Sequence, residues 1–347
     1  MNIHEKYINR CIELAKNGIG ATYPNPMVGS VIVLNDTIIG EGWHRKSGEP
    51  HAEVNAINAV KDKTQLKEAT IYVNLEPCSH YGKTPPCANL IVEKGIKNIV
   101  IGSIDSNSKV SGKGVEHLEN NGCNVIVGVL EKECKELNKR FFTFHNKKRP
   151  FIILKWAETK DGFIDKIRNK ASENTPNWIS NQYSQQLVHK MRAENEAVLV
   201  GTTTALNDNP NLNVRSWSGK NPVRVVIDRT LKIPLNYNLF KGSVKTILFT
   251  EIQKKNMADI FYEKIDFTSN VSQQICDVLY AHEIQSVIIE GGAKTLQSFI
   301  DKNLWDEAFV FIGEVVFKKG LKAPKLEKVP TEIKKISTDT LKVYNNK

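Results

Sequence analysis

Along the first part of the chain, segments with the apolar spacing of a helix alternate with short apolar runs typical of strands. Positions three and four residues apart in 3–16 predict an amphipathic helix. A polar pair at 35–36 separates two strand-like runs and predicts a hairpin. Strands are predicted at 30–34, 37–42, 70–74, 98–102 and 123–127, and helices at 87–93, 114–121, 131–142 and from His51 onward. This alternation predicts an α/β domain whose sheet is covered by helices on both faces.

The same alternation restarts after the polar segment 145–150, whose charge and proline favour a domain boundary. Strands are predicted at 151–156, 197–201, 223–227, 246–250 and 286–289, and helices at 182–191, 272–281 and 294–300. The pair Gly291-Gly292 between strand and helix would let a backbone approach a pyrophosphate, although a simple tight turn is the more common explanation. Residues 322–347 allow either a last strand pair or a loose tail.

Length and composition narrow the class of protein. A chain of 347 residues predicts two domains, which we place at 1–146 and 150–347. Six scattered cysteines do not form a disulfide pattern and favour the reducing cytoplasm. No apolar run is long enough for a bilayer, so no membrane partner is expected. The net charge of +10 would suit nucleic acid, but the lysines are dispersed without interleaved aromatic residues, so we expect no nucleic-acid partner.

The candidate chemistry lies in two segments, one at His51 and one running from Cys78 to Cys87. One imidazole and two thiols suit Zn²⁺ with an open fourth position, whereas structural zinc normally has four protein ligands. Glu53 follows His51 by two residues, which is the zinc-deaminase order. The alternatives are an ordinary core histidine with buried thiols, or a non-catalytic zinc-stabilised scaffold. A scaffold would have no use for the acid.

The segment from Pro77 to Cys87 resembles that of the bifunctional riboflavin-biosynthesis enzymes, a family that joins a pyrimidine deaminase to a pyrimidine reductase. Further segments match the family in the same order: 25–29, 42–44, 155–162, 177–180, 192–193, 201–204, 208–215 and 290–292. The resemblance covers roughly residues 3–315. It implies a cytidine-deaminase-like three-layer α/β/α domain followed by a dihydrofolate-reductase-like α/β domain.

The resemblance also implies the first reaction and its residues. One Zn²⁺ per chain, held by His51, Cys78 and Cys87, would activate water for deamination of a phosphoribosylated diaminopyrimidine. Glu53 would be the catalytic residue that moves the protons. The residues implied for the pyrimidine substrate are Asn25, His44, His80 and Lys83.

For the second reaction the resemblance implies that NADPH reduces the ribosyl group to ribityl. The residues implied for the substrate are Lys155, Arg192, Leu212, Arg215 and Glu290. Those implied for the cofactor are Glu158, Trp178, Thr204, Asp208, Gly292, Ala293, Lys294, Thr295 and Leu296. Arg192 and Arg215 are suited to hold a phosphate by paired hydrogen bonds. No side chain stands out as the proton donor, and NADH is an open alternative to NADPH.

Two segments depart from the family pattern. Residues 164–176 are longer and more polar than expected, and residues 313–320 lack a Gly-rich closing loop. Both concern the reductase half. The rival function is a tRNA-type nucleic-acid deaminase with a C-terminal binding module. The resemblance further implies small phosphorylated pyrimidines as partners and a homo-oligomer.

Overall fold

A computed structural model describes residues 2–79, 85–106, 111–168 and 177–346 of the chain. It consists of two compact units, Met1–Lys148 and Arg149–Lys347. The polar segment 145–150 spans this division, although its first three residues belong to the last helix of the first unit. Among the described residues, no helix combines the length and the apolar character needed to cross a membrane.

The first unit is built on one five-stranded sheet in the order β2-β1-β3-β4-β5. Its strands are β1 (Gly29–Leu34), β2 (Thr37–Trp43), β3 (Thr70–Leu75), β4 (Asn98–Ser103) and β5 (Asn124–Val127). Its helices are α1 (Ile3–Lys16), α2 (Ala52–Ala59), α3 (Cys87–Glu93), α4 (Lys113–Asn120), α5 (Glu131–Leu137) and α6 (Lys139–Lys147). Strand β1 is antiparallel to both neighbours, while β3, β4 and β5 run parallel.

Helices cover both faces of this sheet, because successive side chains of a strand point to opposite sides. On β1, Val31 packs with Ile8 of α1 and Cys134 of α5. The next residue, Ile32, packs on the other face with Ile57 of α2 and the neighbouring helices α3 and α4. The three-layer arrangement predicted from the sequence is therefore confirmed.

The single helix predicted over 131–142 is wrong. The structure has two helices, α5 and α6, separated by Asn138 with φ −102° and ψ 25°. The Asn138 side chain is 2% exposed and hydrogen-bonds the backbone of Met27, far away in sequence. Asparagine readily exchanges helical backbone geometry for side-chain hydrogen bonds, and here tertiary contacts outweigh the helical pattern.

The second unit contains a nine-stranded sheet in the order β11-β10-β9-β8-β12-β6-β13-β16-β15 and a small pair β14-β7. The strands are β6 (Phe151–Thr159), β7 (Phe163–Asp165), β8 (Ala197–Gly201), β9 (Val223–Ile227), β10 (Thr246–Thr250), β11 (Ile260–Lys264), β12 (Ser286–Gly291), β13 (Glu307–Gly313), β14 (Leu321–Lys322), β15 (Glu332–Ile336) and β16 (Asp339–Asn345). The helices are α7 (Gln182–Glu194), α8 (Thr202–Asp208), α9 (Val271–Ala281) and α10 (Ala293–Asp301).

The strands from β11 to β13 in this order are parallel, and the hairpin β15–β16 closes the sheet in the antiparallel sense. The open question about 322–347 is thus answered by a strand pair. Ile152 and Leu154 of β6 pack on the side of α9 and α10, whereas Ile153 packs on the side of α7. The carboxyl ends of β8, β12 and β6 lie side by side, where α/β sheets commonly bind ligands.

Candidate functional site

Three ligand atoms converge at the first unit's helix ends. His51 directly precedes α2, Cys78 follows β3, and Cys87 is the first residue of α3. Their ligand atoms all lie within 4.8 Å of one another, and no other such group occurs in the part of the chain that the structure describes. His51 Nδ1 is 3.6 Å from Cys78 Sγ and 3.4 Å from Cys87 Sγ.

These separations fit one tetrahedral ion. Zinc bonds of about 2.1 Å to nitrogen and about 2.3 Å to sulfur, at a tetrahedral angle, place the two ligand atoms about 3.6 Å apart. Two thiols and an imidazole also match the preference of zinc for soft ligands. The residues present therefore fit a zinc ion with an open coordination position.

The electrostatics of the two cysteines favour a thiolate. A hydrogen bond from the Cys87 thiol, together with His51, lowers the pKa of Cys78 to about 4. The backbone N–H of Cys87 also donates to Cys78 Sγ over 3.3 Å. Neither α2 nor α3 has a side-chain hydrogen bond at its N-cap; His51 is itself the N-cap residue of α2, and Cys87 is the first residue of α3, directly after its N-cap Pro86.

Glu53 lies in the first turn of α2 beside the three ligands and is 3% exposed. Burial raises the pKa of Glu53 to about 7, against the opposing influence of His51. A carboxyl group whose pKa lies near neutrality can both accept and release a proton at physiological pH. Glu53 is not one of the three ligands, as a general base next to a metal requires.

Asn25 and His44 form a hydrogen-bonded pair next to the ligands. His44 Nδ1 lies 3.2 Å from the Pro50 carbonyl, which can only accept, so Nδ1 carries the proton. Its Nε2 then accepts from Asn25 Nδ2 over 3.1 Å. The ring centroids of His44 and His51 are 5.1 Å apart, and burial lowers the pKa of His44. His80 and Lys83, also predicted for the substrate, lie outside the described residues.

A buried acid supports the loop that carries Cys78. The Glu76 carboxylate is 4% exposed and accepts backbone N–H groups from the segment after β4 and from the start of α4. The donors are Asp105, Gly112, Gly114 and Val115. Sequence reasoning missed this residue, because several of its donors lie in a loop with no regular pattern.

In the second unit, three charged side chains meet at the carboxyl ends of adjacent strands. Arg192 of α7 binds Glu290 through Nε and Nη2, each at 2.7 Å. Lys155 Nζ lies 3.7 Å from the same carboxylate. Burial opposes the ionisation of Glu290, but Arg192 and Lys155 outweigh it and lower its pKa to about 2. Burial also lowers the pKa of Lys155.

Arg192, predicted for the reductase substrate, makes three hydrogen bonds within the protein. Its Nη1 donates to the Asn213 carbonyl over 3.2 Å, so three of its five N–H groups are engaged. A phosphate that took the Nε and Nη2 edge of the guanidinium would have to displace Glu290. Arg215, in contrast, is exposed, and its one described side-chain hydrogen bond goes to Asn213 Oδ1 at 3.3 Å. The structure therefore leaves Arg215 better placed than Arg192 for an anion.

Leu212 adopts a left-handed backbone with φ 48°, although its side chain is 2% exposed and packs in a hydrophobic cluster. Such a conformation costs a leucine on the order of 1 kcal/mol and is commonest at functional sites. A substrate contact by Leu212 would therefore have to use its backbone. The sequence contains no signal for this conformation.

The residues predicted for the cofactor meet where α8 and α10 begin. A Cβ added at Gly291 or Gly292 would lie 3.2 or 3.1 Å from Thr204 Oγ1, and one at Gly201 would lie 2.8 Å from Thr295 Oγ1. Glycine at these positions lets the backbone pack closely against the two threonines, and a helix start without side chains at its entrance also fits the approach of a pyrophosphate. Ala293 and Lys294 follow at the first turn of α10. Leu296 is fully buried in the core, so only its backbone is available.

The remaining predicted cofactor residues are more dispersed. Trp178 is 58% exposed, and Glu158 accepts the indole N–H of Trp156 at 2.8 Å. Asp208, at the end of α8, pairs with Arg168 at 2.8 Å. Arg168 belongs to the divergent segment and also pairs with Asp165 at 2.7 Å. The structure therefore joins this segment to a predicted cofactor residue.

The other divergent segment is held by one acid. Asp161 accepts the backbone N–H groups of Phe317 at 3.2 Å and Lys318 at 2.7 Å, and the hydroxyl of Thr159 at 2.6 Å. Strand β14 then pairs with β7. Residues 313–320 thus have a defined path without the expected glycines.

Two family models match the chain. The cytidine and deoxycytidylate deaminase zinc-binding region matches residues 1–103, and the RibD C-terminal domain matches residues 150–340. The riboflavin biosynthesis protein RibD of Aquifex aeolicus is 39% identical over 325 residues, covering 92% of this chain and 89% of that protein. RibD of Escherichia coli is 37% identical over 332 residues, covering 89% and 87%.

Solved structures agree. A diaminohydroxyphosphoribosylaminopyrimidine deaminase/5-amino-6-(5-phosphoribosylamino)uracil reductase from Thermotoga maritima superimposes with a TM-score of 0.87 and 39% identity, covering 99% of this chain and 98% of that one. Acinetobacter baumannii RibD gives a TM-score of 0.87 at 30% identity, with 98% of each chain covered. These matches confirm the predicted α/β fold class, with the deaminase-like unit first.

Proposed function

Since the chain belongs to the RibD family of riboflavin biosynthesis proteins, we propose which residues of its two units carry the two reactions. The chain is a bifunctional enzyme, a hydrolase through its zinc-binding deaminase unit and an oxidoreductase through its pyrimidine reductase unit. The substrates proposed here are those named for the Thermotoga maritima enzyme, a phosphoribosylated diaminopyrimidine and the uracil derived from it.

In the first reaction, His51, Cys78 and Cys87 would hold one zinc ion per chain. A bound zinc ion supplies Lewis-acid activation of water near neutral pH. The Glu53 carboxylate takes a proton from the attacking water and transfers it to the amine, which leaves as ammonia. Asn25, with its amide fixed by His44, contacts the pyrimidine ring. His44 itself stays neutral and acts through this hydrogen bond.

In the second reaction, the backbone at Gly291-Gly292 and the first turn of α10 would bind a reduced nicotinamide, which supplies a hydride. Lys155 and Glu290 lie at the neighbouring strand ends and face the ribosyl group. Arg192 keeps the Glu290 carboxylate ionised and oriented, while Arg215 contributes a positive charge toward the phosphate. We propose NADPH as the nicotinamide.

The observation that carries the proposal is the convergence of His51, Cys78 and Cys87, with a buried acid beside them that is not a ligand. A structural zinc site would have a fourth protein ligand and no need for Glu53. The comparisons give no support to the tRNA-type alternative. We further propose that the enzyme is a cytoplasmic homo-oligomer, which the mass of the native protein in solution would test.

A coupled assay tests both halves in one sample. The full chain is given the diaminopyrimidine substrate, and zinc content, ammonia release and NADPH oxidation are measured together. We expect one zinc ion per chain, ammonia release first and NADPH oxidation after it. Chelation should abolish ammonia release but leave NADPH oxidation intact when the deaminated pyrimidine is supplied directly. Ammonia release that survives complete zinc removal would contradict the proposal.

A further inference from the structure

One short segment of the first unit is held by two buried asparagines that the reaction itself does not use. Asn138 Oδ1 accepts the N–H of Met27 at 2.8 Å, and its Nδ2 donates to the Met27 carbonyl at 2.9 Å. Asn74 Nδ2 donates to the same carbonyl at 3.1 Å, and its Oδ1 accepts the N–H of Gly29 at 2.7 Å. The backbone from Met27 to Gly29 is thus clamped from both sides.

The hydrogen bonds of this clamp are buried, so the loss of any one of them is expected to be costly. Asn74 is fully buried and Asn138 is 2% exposed, so no bulk water replaces either amide. Loss of one partner would leave the polar backbone of Met27 partly unsatisfied, which is costly in a protein interior. Asn138 also lies at the break between α5 and α6, where its backbone leaves the helical conformation.

The clamped segment leads directly to the deaminase site. Asn25 precedes Met27 by two residues, and its amide reaches His44. The N–H of His44 in turn donates to the Val28 carbonyl at 2.8 Å. The ring of His44 packs against that of the ligand His51. The position of Asn25 beside the His44 ring therefore depends on the backbone that Asn138 holds.

We propose that Asn138 is a positioning residue for deamination, which fixes Asn25 through Met27 and thereby sets the affinity for the pyrimidine. This inference rests on the proposed contact between Asn25 and the substrate. Asn138 lies between α5 and α6, and it acts on the substrate without touching it. Asn74, from β3, completes the clamp on the same peptide.

The test compares Asn138→Ala and Asn138→Asp in the full chain. Aspartate keeps an acceptor for the Met27 N–H but loses the donor to the Met27 carbonyl. We expect the KM for the deaminase substrate to rise about tenfold with alanine, because small displacements of positioning groups weaken binding strongly. The rise with aspartate should be at least as large, because its buried carboxylate would face the Met27 carbonyl. Zinc content and the reductase rate should not change. Asn121→Ala, an exposed helix-end asparagine of the same unit, is the matched control.

A double-mutant cycle with Asn25→Ala decides between positioning and a merely structural role. If Asn138 acts through Asn25, Asn138→Ala should add little to the KM of the Asn25→Ala enzyme, because coupled residues are not additive. Additive effects, or loss of zinc in both Asn138 variants, would overturn the inference. An Asn25→Ala enzyme with unchanged KM would instead contradict the proposed substrate contact.

Discussion

The two sites of this chain are built from opposite kinds of chemistry. The first unit gathers an imidazole and two thiols within 4.8 Å and adds a buried acid whose pKa lies near neutrality. The second unit gathers Arg192, Lys155 and Glu290, and the two cations lower the pKa of the acid to about 2. Burial acts on both carboxyl groups, and the difference lies in the charge of their neighbours.

This difference explains how each acid can be used. Glu53 can gain and lose a proton near neutral pH because burial raises its pKa and the opposing influence of His51 is smaller. Glu290 stays ionised and can only orient groups or interact with positive charge. The first site can therefore move protons through its acid, whereas the second offers a fixed field in which a cofactor reacts. Substitutions at the two sites should differ accordingly.

The largest expected effect comes from Glu53→Gln. The amide cannot carry the proton from water to the leaving amine, so ammonia release should fall about a thousandfold. Zinc content and the reductase rate should be unchanged, as measured by metal analysis and NADPH oxidation. Glu49→Gln, an exposed residue shortly before the same helix, is the control. A Glu53→Gln enzyme with near-normal ammonia release would place the base elsewhere.

A smaller effect, on folding as well as activity, is expected from Arg192→Met. The substitution leaves Glu290 buried with Lys155 as its remaining cation at this site, which should lower the free energy of unfolding of the second unit by about 3 kcal/mol. Reduction should fall while deamination continues. The double variant Arg192→Met/Glu290→Met should regain stability but not NADPH oxidation. If the single variant is as stable as the parent in thermal unfolding, the ion pair does not contribute the predicted free energy of unfolding.

The smallest effect concerns Glu196, a carboxyl group of the second unit whose pKa burial raises against the opposing charge of Lys245. Burial raises the pKa of Glu196 to about 7, while the Gln285 N–H at 2.6 Å opposes the shift. The folded chain thus binds this proton more tightly, so its stabilising contribution is present below about pH 4.5 and is lost as the pH rises through 7. Glu196→Gln should therefore stabilise the protein at pH 8, on the order of 1 kcal/mol, and have little effect at pH 5.

Thermal unfolding at the two pH values checks this prediction. Glu332→Gln, on the exposed strand β15, should behave alike at both. Equal stabilisation by Glu196→Gln at pH 5 and pH 8 would mean that Glu196 is already ionised in the folded chain at pH 5. The pKa of Glu196 would then be low, as that of Glu290 is, even though Glu196 lacks the two neighbouring cations of Glu290.

The sequence predicted the first site more completely than the second. His51, Glu53, Cys78 and Cys87 lie in short segments whose order carries the chemistry, and the structure brings all four together. The resemblance predicts that Arg192 holds a phosphate, and the sequence does not reveal that Glu290, distant along the chain, accepts two of its hydrogen bonds. Helical spacing likewise concealed the break at Asn138.

Helices and strands were predicted best where the apolar residues follow regular helical spacing or form a continuous run. The helix over 87–93 has the bounds expected from the pattern, and the central strands of both sheets lie where apolar runs stand. Strands β11 and β13 were missed, since each alternates with charged or partly exposed positions. Helix α8 was missed because Thr202 and its threonine neighbours are poor helix formers, so its stability comes from packing.

The uncapped starts of α2 and α3 link metal affinity to the integrity of these two helices. An ion that joins His51 to Cys78 and Cys87 binds the folded arrangement and not the frayed one, so it stabilises the helix ends by mass action. Because His51 is the N-cap residue of α2 and Cys87 is the first residue of α3, metal binding would restrain the starts of two helices whose N-cap residues make no side-chain hydrogen bond. Loss of the ion would therefore lower deaminase activity and increase fraying of these two helix starts together.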